Sequence, residues 1–259
     1  MKAMLEGRIA WVTGAAGAIG AEICRRFAVE GARVALSGRH EDALRAVADG
    51  LPASAEAMLC PMDVTDRAQV DATVAAVVER FGTLDILVNS TTNPIFGDFM
   101  DLGDDDWMAV MDAKAFGYMR ASRAVLPQMV AQGRGAIVNI SGRGGHQPNS
   151  PSHMAGCCAN GAVNTLTKGL ANIYGPKGIR VNAIAPGPVR SPRYDKIAAA
   201  NAAIAGAAGD CSGAPVANPL GEMSETGDIA DAALYLASDL ARFVTGIVLQ
   251  ADGGGTASL

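Results

Sequence analysis

Long apolar runs are missing from this chain of 259 residues. None reaches the roughly 18 residues needed to span a bilayer, so no membrane partner is expected. Positive charge is also scarce: 21 Lys and Arg stand against 26 Asp and Glu, a net charge of −5. That balance excludes the basic face on which nonspecific nucleic-acid binding rests. Residues Met1–Gly7 lead straight into the first apolar run without a signal-peptide segment. The five cysteines, Cys24, Cys60, Cys157, Cys158 and Cys211, are odd in number and lack metal-ligand spacing. They read as reduced thiols of a cytoplasmic protein, with neither a disulfide framework nor a metal site.

What is present is a large core-forming fraction, 49% hydrophobic residues. Short β-branched runs predict strands over 9–13, 33–37, 57–62, 86–89, 136–141, 180–184 and 247–251. Helical periodicity falls between them, over 19–30, 67–81, 105–132, 161–174 and 228–238. Near-continuous apolar strands alternating with helices imply an α/β fold of the Rossmann type: one doubly wound parallel sheet of about seven strands, helices on both faces. No linker divides the chain, so 1–259 is read as a single domain. The one break in composition is 190–223, rich in Ala, Gly and Asn with Pro192, Pro215 and Pro219. It is too weakly apolar for one core helix and is expected to be a mobile excursion over the substrate site.

The turn after the first strand carries the chemistry. Gly14 allows the tight turn, and Ala15, Ala16 and Gly17 let the main chain approach a phosphate closely. The helix that starts near Ile19 and Gly20 offers its unpaired N–H groups and positive dipole end to that anion. Strand, glycine turn and helix together predict a dinucleotide cradle. At the end of the second strand Ser37-Gly38-Arg39 offers no carboxylate until Glu41. Arg39 can pair with a ribose 2′-phosphate, so NADP(H) is preferred with NAD(H) possible; the alternative is a solvated Arg39.

Several segments in order resemble the short-chain dehydrogenases/reductases. Thr13-Gly14-x-x-x-Ala18-x-Gly20 is similar to that family's glycine turn, and Asp63-Val64 to its adenine-facing pair. Leu87-Val88-Asn89 resembles its fourth strand, and Arg180–Gly187 its sixth strand with the Pro186-Gly187 turn. Thr245-Gly246 and Asp252-Gly253-Gly254 match its closing strand. The resemblance spans essentially the whole chain and implies cofactor contacts from Gly14, Ala16, Gly17, Ile19 and Gly20. Asp63, Val64, Asn89, Asn160, Pro186, Gly187 and Val189 complete that set.

The departures lie where that family does its chemistry. None of the four tyrosines is followed by lysine at the fourth position. Alignment with the family pattern puts Lys114 at its Asn position, Gly142 at its Ser, Gly156 at its Tyr and Asn160 at its Lys. Lysine and asparagine have thus exchanged places. A void is expected beside Gly156, and Lys114 is the candidate proton donor or oxyanion stabiliser. Its alternative is a lysine that snorkels to solvent. His153, Tyr118 and, less strongly, Arg143, His146 and the Cys157–Cys158 pair are further candidates. The resemblance implies an oxidoreductase acting on a small carbonyl or alcohol with a non-standard proton-transfer site. It also implies a homotetramer or homodimer. A lyase, aldol or hydration enzyme on the same fold, or a catalytically silent nucleotide-binding subunit, are the other classes.

Overall fold

The computed structural model describes residues 3–148, 150–206 and 218–257. Seven strands, β1 (Ile9–Thr13), β2 (Arg33–Gly38), β3 (Ala57–Pro61), β4 (Ile86–Asn89), β5 (Gly135–Ile140), β6 (Ile179–Pro186) and β7 (Val248–Ala251), form one sheet. Their order is β3-β2-β1-β4-β5-β6-β7, and every pairing is parallel. The central strands β1 and β4 are buried at every position, as a sheet covered on both faces requires.

Among the described residues, eight α-helices flank the sheet. On one face α1 (Ala18–Val29) and α8 (Thr226–Ala237) pack Ile23, Phe27, Ile229 and Leu236 over Val12 and Leu36. The other face carries α3 (Arg67–Phe81), α5 (Gly117–Gln132) and α6 (Met154–Tyr174), whose Val74, Val125 and Met129 bury Trp11 and Leu87. The remaining helices are α2 (Glu41–Asp49), α4 (Asp104–Met111) and α7 (Pro192–Ile204). The strand order reverses between β1 and β4, which opens a crevice at the carboxyl ends of the strands.

Predicted and observed elements agree at β1, β4 and α3 and differ by a residue or two in most others. Three differences have physical causes. The single helix expected over 105–132 is interrupted by a π turn at Asp112–Phe116. Inserting a residue into a helix frees carbonyls, and side chains take them here. Thr91 Oγ1 donates to Ala113 O at 2.8 Å, and Arg120 donates to Asp112 O at 3.4 Å and forms an ion pair with its carboxylate. The helix expected from 161 begins at Met154, because small residues such as Gly156 and Ala159 mask its apolar period. Within the excursion expected over 190–223, the first part takes a regular form without becoming a core helix, since none of its residues is fully buried. Pro192–Ile204 is helical, with Pro at its start and Ser191 Oγ accepting from Tyr194 N. Alanine favours helix without giving it an apolar period, so composition alone does not reveal this one. Residues 207–217 of that excursion lie outside the described residues.

Below the crevice a chain of buried polar groups crosses the sheet. Thr13 Oγ1 donates to Asn89 Oδ1, Asn89 Nδ2 to Asn139 Oδ1 at 2.9 Å, and Asn139 Nδ2 to Thr167 Oγ1 at 2.9 Å. All four residues are fully buried, so each amide depends on its neighbour for satisfaction. Asn139→Ala should lower the unfolding free energy by about 2 kcal/mol. Urea titration should show a lower midpoint with an unchanged slope.

Candidate active site

The glycine turn is built as its sequence suggests. Gly14 has φ 67°, and a Cβ there would lie 2.6 Å from the Ser90 carbonyl oxygen. Gly17 N donates to Gly14 O at 3.0 Å, and Ala15 N donates to Ser37 O, which ties the turn to the end of β2. Gly17 caps α1 without any side-chain hydrogen bond, so the first N–H groups of α1 face outward. Gly17, Ala18, Ile19 and Gly20 form one wall of a cavity of about 650 Å³ at the crevice. Pro186, Gly187 and Val189, at the end of β6, form another. A dinucleotide pyrophosphate fits a wall of this kind, with close backbone and open N–H donors.

Not every expected contact residue faces the cavity. Arg39 is exposed just beyond β2, two residues after the carbonyl that holds Ala15. Asp63 Oδ1 accepts from Thr65 N and Thr65 Oγ1, and buried Val64 packs against Gly117. Asn89 spends its amide on the buried chain, and Ala16 is exposed at the turn.

Lys114 lies at the centre of the π turn, buried, and is one of the residues that line the cavity. Nζ donates to Ile140 O at 3.0 Å and to Ser141 O at 3.2 Å, and sits 5.5 Å from the Tyr118 ring centroid. Burial first, and the nearby Arg193 guanidinium second, lower its pKa to about 7. Tyr118, one turn along, is fully buried; its hydroxyl lies 2.9 Å from Ile140 O and 3.1 Å from Thr91 O. Burial pushes that phenol well above its usual range.

The void expected beside Gly156 is filled, which corrects that expectation. A Cβ on Gly156 would coincide with the His153 ring, so the imidazole three residues earlier occupies the space. A Cβ on Gly142 would lie 2.7 Å from Asn160 Nδ2, so the Asn160 amide occupies that space in turn. Asn160 Oδ1 is buried without a hydrogen-bond partner among the described residues. Ser141 Oγ donates to Asn164 Oδ1 at 2.6 Å.

Arg193, which the sequence reading missed, stands beside His153. Its Nη2 lies 3.1 Å from His153 Nε2, and its guanidinium carbon lies 5.0 Å from the Phe96 ring centroid. Since arginine only donates, Nε2 accepts and the neutral imidazole carries its proton on Nδ1. Burial first, then Arg193 and Lys114, pull the His153 pKa down to about 3. Arg143, Cys157 and Asn160 also line the cavity, while His146 and Cys158 do not. In an Ala-rich, Pro-flanked stretch, nothing in the residue pattern separates Arg193 from a solvated surface arginine.

A strand–glycine turn–helix cradle at the switch point of a seven-stranded parallel sheet defines a nucleotide-dependent α/β protein, and comparison with known proteins specifies which. The family described as enoyl-(acyl carrier protein) reductase matches residues 14–256. The chain belongs to the short-chain dehydrogenase/reductase family, an oxidoreductase family whose dehydrogenases bind NAD(P). It is 40% identical to galactitol 2-dehydrogenase (L-tagatose-forming) of Cereibacter sphaeroides, over 97% of this chain and 96% of that one. It is 35% identical to trans-4-hydroxycyclohexanecarboxylate dehydrogenase of Sinomonas cyclohexanicum, over 96% and 93% of the two chains. The crystal structure of gox2181 superposes with a TM-score of 0.88 at 28% identity, covering 99% of this chain and 98% of that one.

The buried lysine predicts a pH signature in stability. Its pKa falls from 10.5 unfolded to about 7 folded, so between these values the unfolded chain holds more protons. Stability therefore rises with pH across that window and the cost of the buried ammonium is fully present below about 7. Lys114→Met removes this contribution. Relative to the native protein, the melting temperature of the variant should decline steadily as pH is raised from 7 to 10.

Proposed function

We propose that the protein is an NADP(H)-linked oxidoreductase of a small alcohol and its carbonyl compound, with Lys114 as the proton-transfer group. The carrying observation is the ammonium itself. Of its three N–H bonds two are held by the carbonyls of Ile140 and Ser141, which leaves one for the cavity. A pKa near 7 lets the same amine give a proton in reduction and take one in oxidation at ordinary pH. The nicotinamide, when bound, supplies or accepts the hydride. Ile140 and Ser141 hold the amine in place, and the Tyr118 hydroxyl shares the Ile140 carbonyl, which limits how far that anchor can move. His153 stays neutral and orients Arg193, and Asn160 keeps an amide beside Gly142 where it can meet a ribose hydroxyl.

For the cofactor, Arg39 supports a 2′-phosphate and thus NADP(H) over NAD(H). Reduced thiols support a cytoplasmic setting. For assembly, we assign homotetramer formation to the apolar groove of about 510 Å³ between α5 and α6. Leu126, Val130, Leu166 and Leu170 line it, together with Ser122, whose buried hydroxyl has no hydrogen-bond partner among the described residues. Leu170→Glu should reduce the oligomer to smaller species in sedimentation, and an unaltered distribution would remove this face from the assembly.

Two measurements test the enzymatic reading together. Fluorescence titration should show NADPH binding, weakened about tenfold or more by Arg39→Ala, with NADH affected little. A ketone and alcohol screen should then show reduction falling, and oxidation rising, as pH passes through about 7. Lys114→Met should cut kcat by roughly 10²–10⁴ while NADPH affinity stays within about threefold. Unchanged kcat in that variant would sink the role of Lys114; absence of NADPH and NADH binding would sink the redox reading.

A further inference from the structure

The cavity collects positive charge that nothing in it neutralises. Lys114, Arg143, Arg193 and Lys196 line it, and no Asp or Glu does so among the described residues. This is unusual for a chain with a net charge of −5. Arg193 is the most informative of the four. Its position is set from three sides: it begins α7 behind the Ser191 cap, it lies over Phe96, and it donates to His153. Its Nη1 is buried with no hydrogen-bond partner among the described residues.

A guanidinium nitrogen withdrawn from water and left unpaired costs free energy, and a ligand anion would recover it. The dinucleotide phosphates have their own donors at the start of α1, a different segment from those Arg193 touches. Arg193 is held by Phe96 and by His153 in the turn before α6, and it lines the same cavity as Gly156 and Lys114. Nearby donors are of the same kind. Ser150 and Asn201 line the cavity, joined through Asn201 Oδ1, and the Asn201 amide nitrogen donates to no other group among the described residues.

From this we infer that the substrate is a small organic acid, its carboxylate held by Arg193 and its reacting oxygen presented to Lys114. The inference rests on the redox reading only for its second half. Carboxylate capture stands on the charge and the unpaired guanidinium nitrogen. A planar carboxylate suits an arginine fork, and the Phe96 ring keeps that fork in one orientation. The carboxylate would also offset the repulsion between Arg193 and Lys114, so binding should draw a proton onto Lys114 when the pH lies above its pKa.

Calorimetry on the NADP-saturated protein separates the two halves. Benzoate and levulinate should bind at pH 8, and their primary amides should bind at least tenfold more weakly. Binding of the acids should be accompanied by proton uptake, seen as an enthalpy that varies with buffer, and Lys114→Met should abolish that uptake. Arg193→Met should weaken the acids at least tenfold with NADP affinity unchanged, and Arg193→Lys should fall between. Equal binding of acids and amides, or no binding of either acid, overturns the inference. So does loss of NADP affinity in Arg193→Met, which would make Arg193 a cofactor-phosphate ligand. In turnover, a hydroxy acid should exceed its methyl ester by about 100-fold in kcat/KM, the difference lying mainly in KM. Acid binding without turnover of any alcohol would overturn the redox reading and leave carboxylate capture standing.

Discussion

An ammonium and a guanidinium share one cavity with no carboxylate among the described residues to neutralise either, and the arrangement of the site follows from that imbalance. Lys114 can be buried only because two carbonyls at the end of β5 accept from it, and those carbonyls are available because the strand stops there. The π turn swings Lys114 toward β5 and is itself stabilised by Thr91 and Arg120. Repulsion then acts on everything nearby. It helps keep His153 neutral, which allows the imidazole to accept from Arg193 rather than compete with it. A cavity of this sign draws anions in, and a nucleotide phosphate at the start of α1 would partly offset the bias.

Much of this was legible in the residues because the signals were local. The apolar runs of β1 and β4 and the periodicity of α3 placed those elements to the residue, and Gly14 marked a turn that only a residue without a Cβ can make. The family pattern, read along the chain, led to Lys114, and its burial in the cavity is a property of the fold rather than of any short motif. What escaped was non-local. Helix α7 hid in an Ala-rich stretch because alanine contributes helix propensity without apolar period. Arg193 hid with it, since charge in such a stretch reads as solvated until Phe96 and His153 are brought over it. The expectation of a void at Gly156 failed for the same reason. A missing side chain was visible, and the side chain that fills its place was not.

That filling also bears on how the site's departures from the family pattern are connected. Three glycines on the β5–α6 connection, Gly142, Gly144 and Gly145, lie where a Cβ would strike Asn160, Cys157 or Asn164 of α6. A fourth, Gly156 on α6 itself, lies under the His153 ring. Each small residue is therefore matched to a larger one that uses its space. A tyrosine at 156 would have to evict His153, and with it the group that orients Arg193. A serine at 142 would have to displace the Asn160 amide. Changes of this kind are non-additive because the residues share volume and partners. Introducing one residue of the family pattern at a time therefore removes a contact before it can supply a function. The buried lysine, the neutral histidine and the arginine that it accepts from are best understood as one interlocked solution. In it the buried ammonium comes from the helical segment that precedes β5 rather than from the helix that follows it.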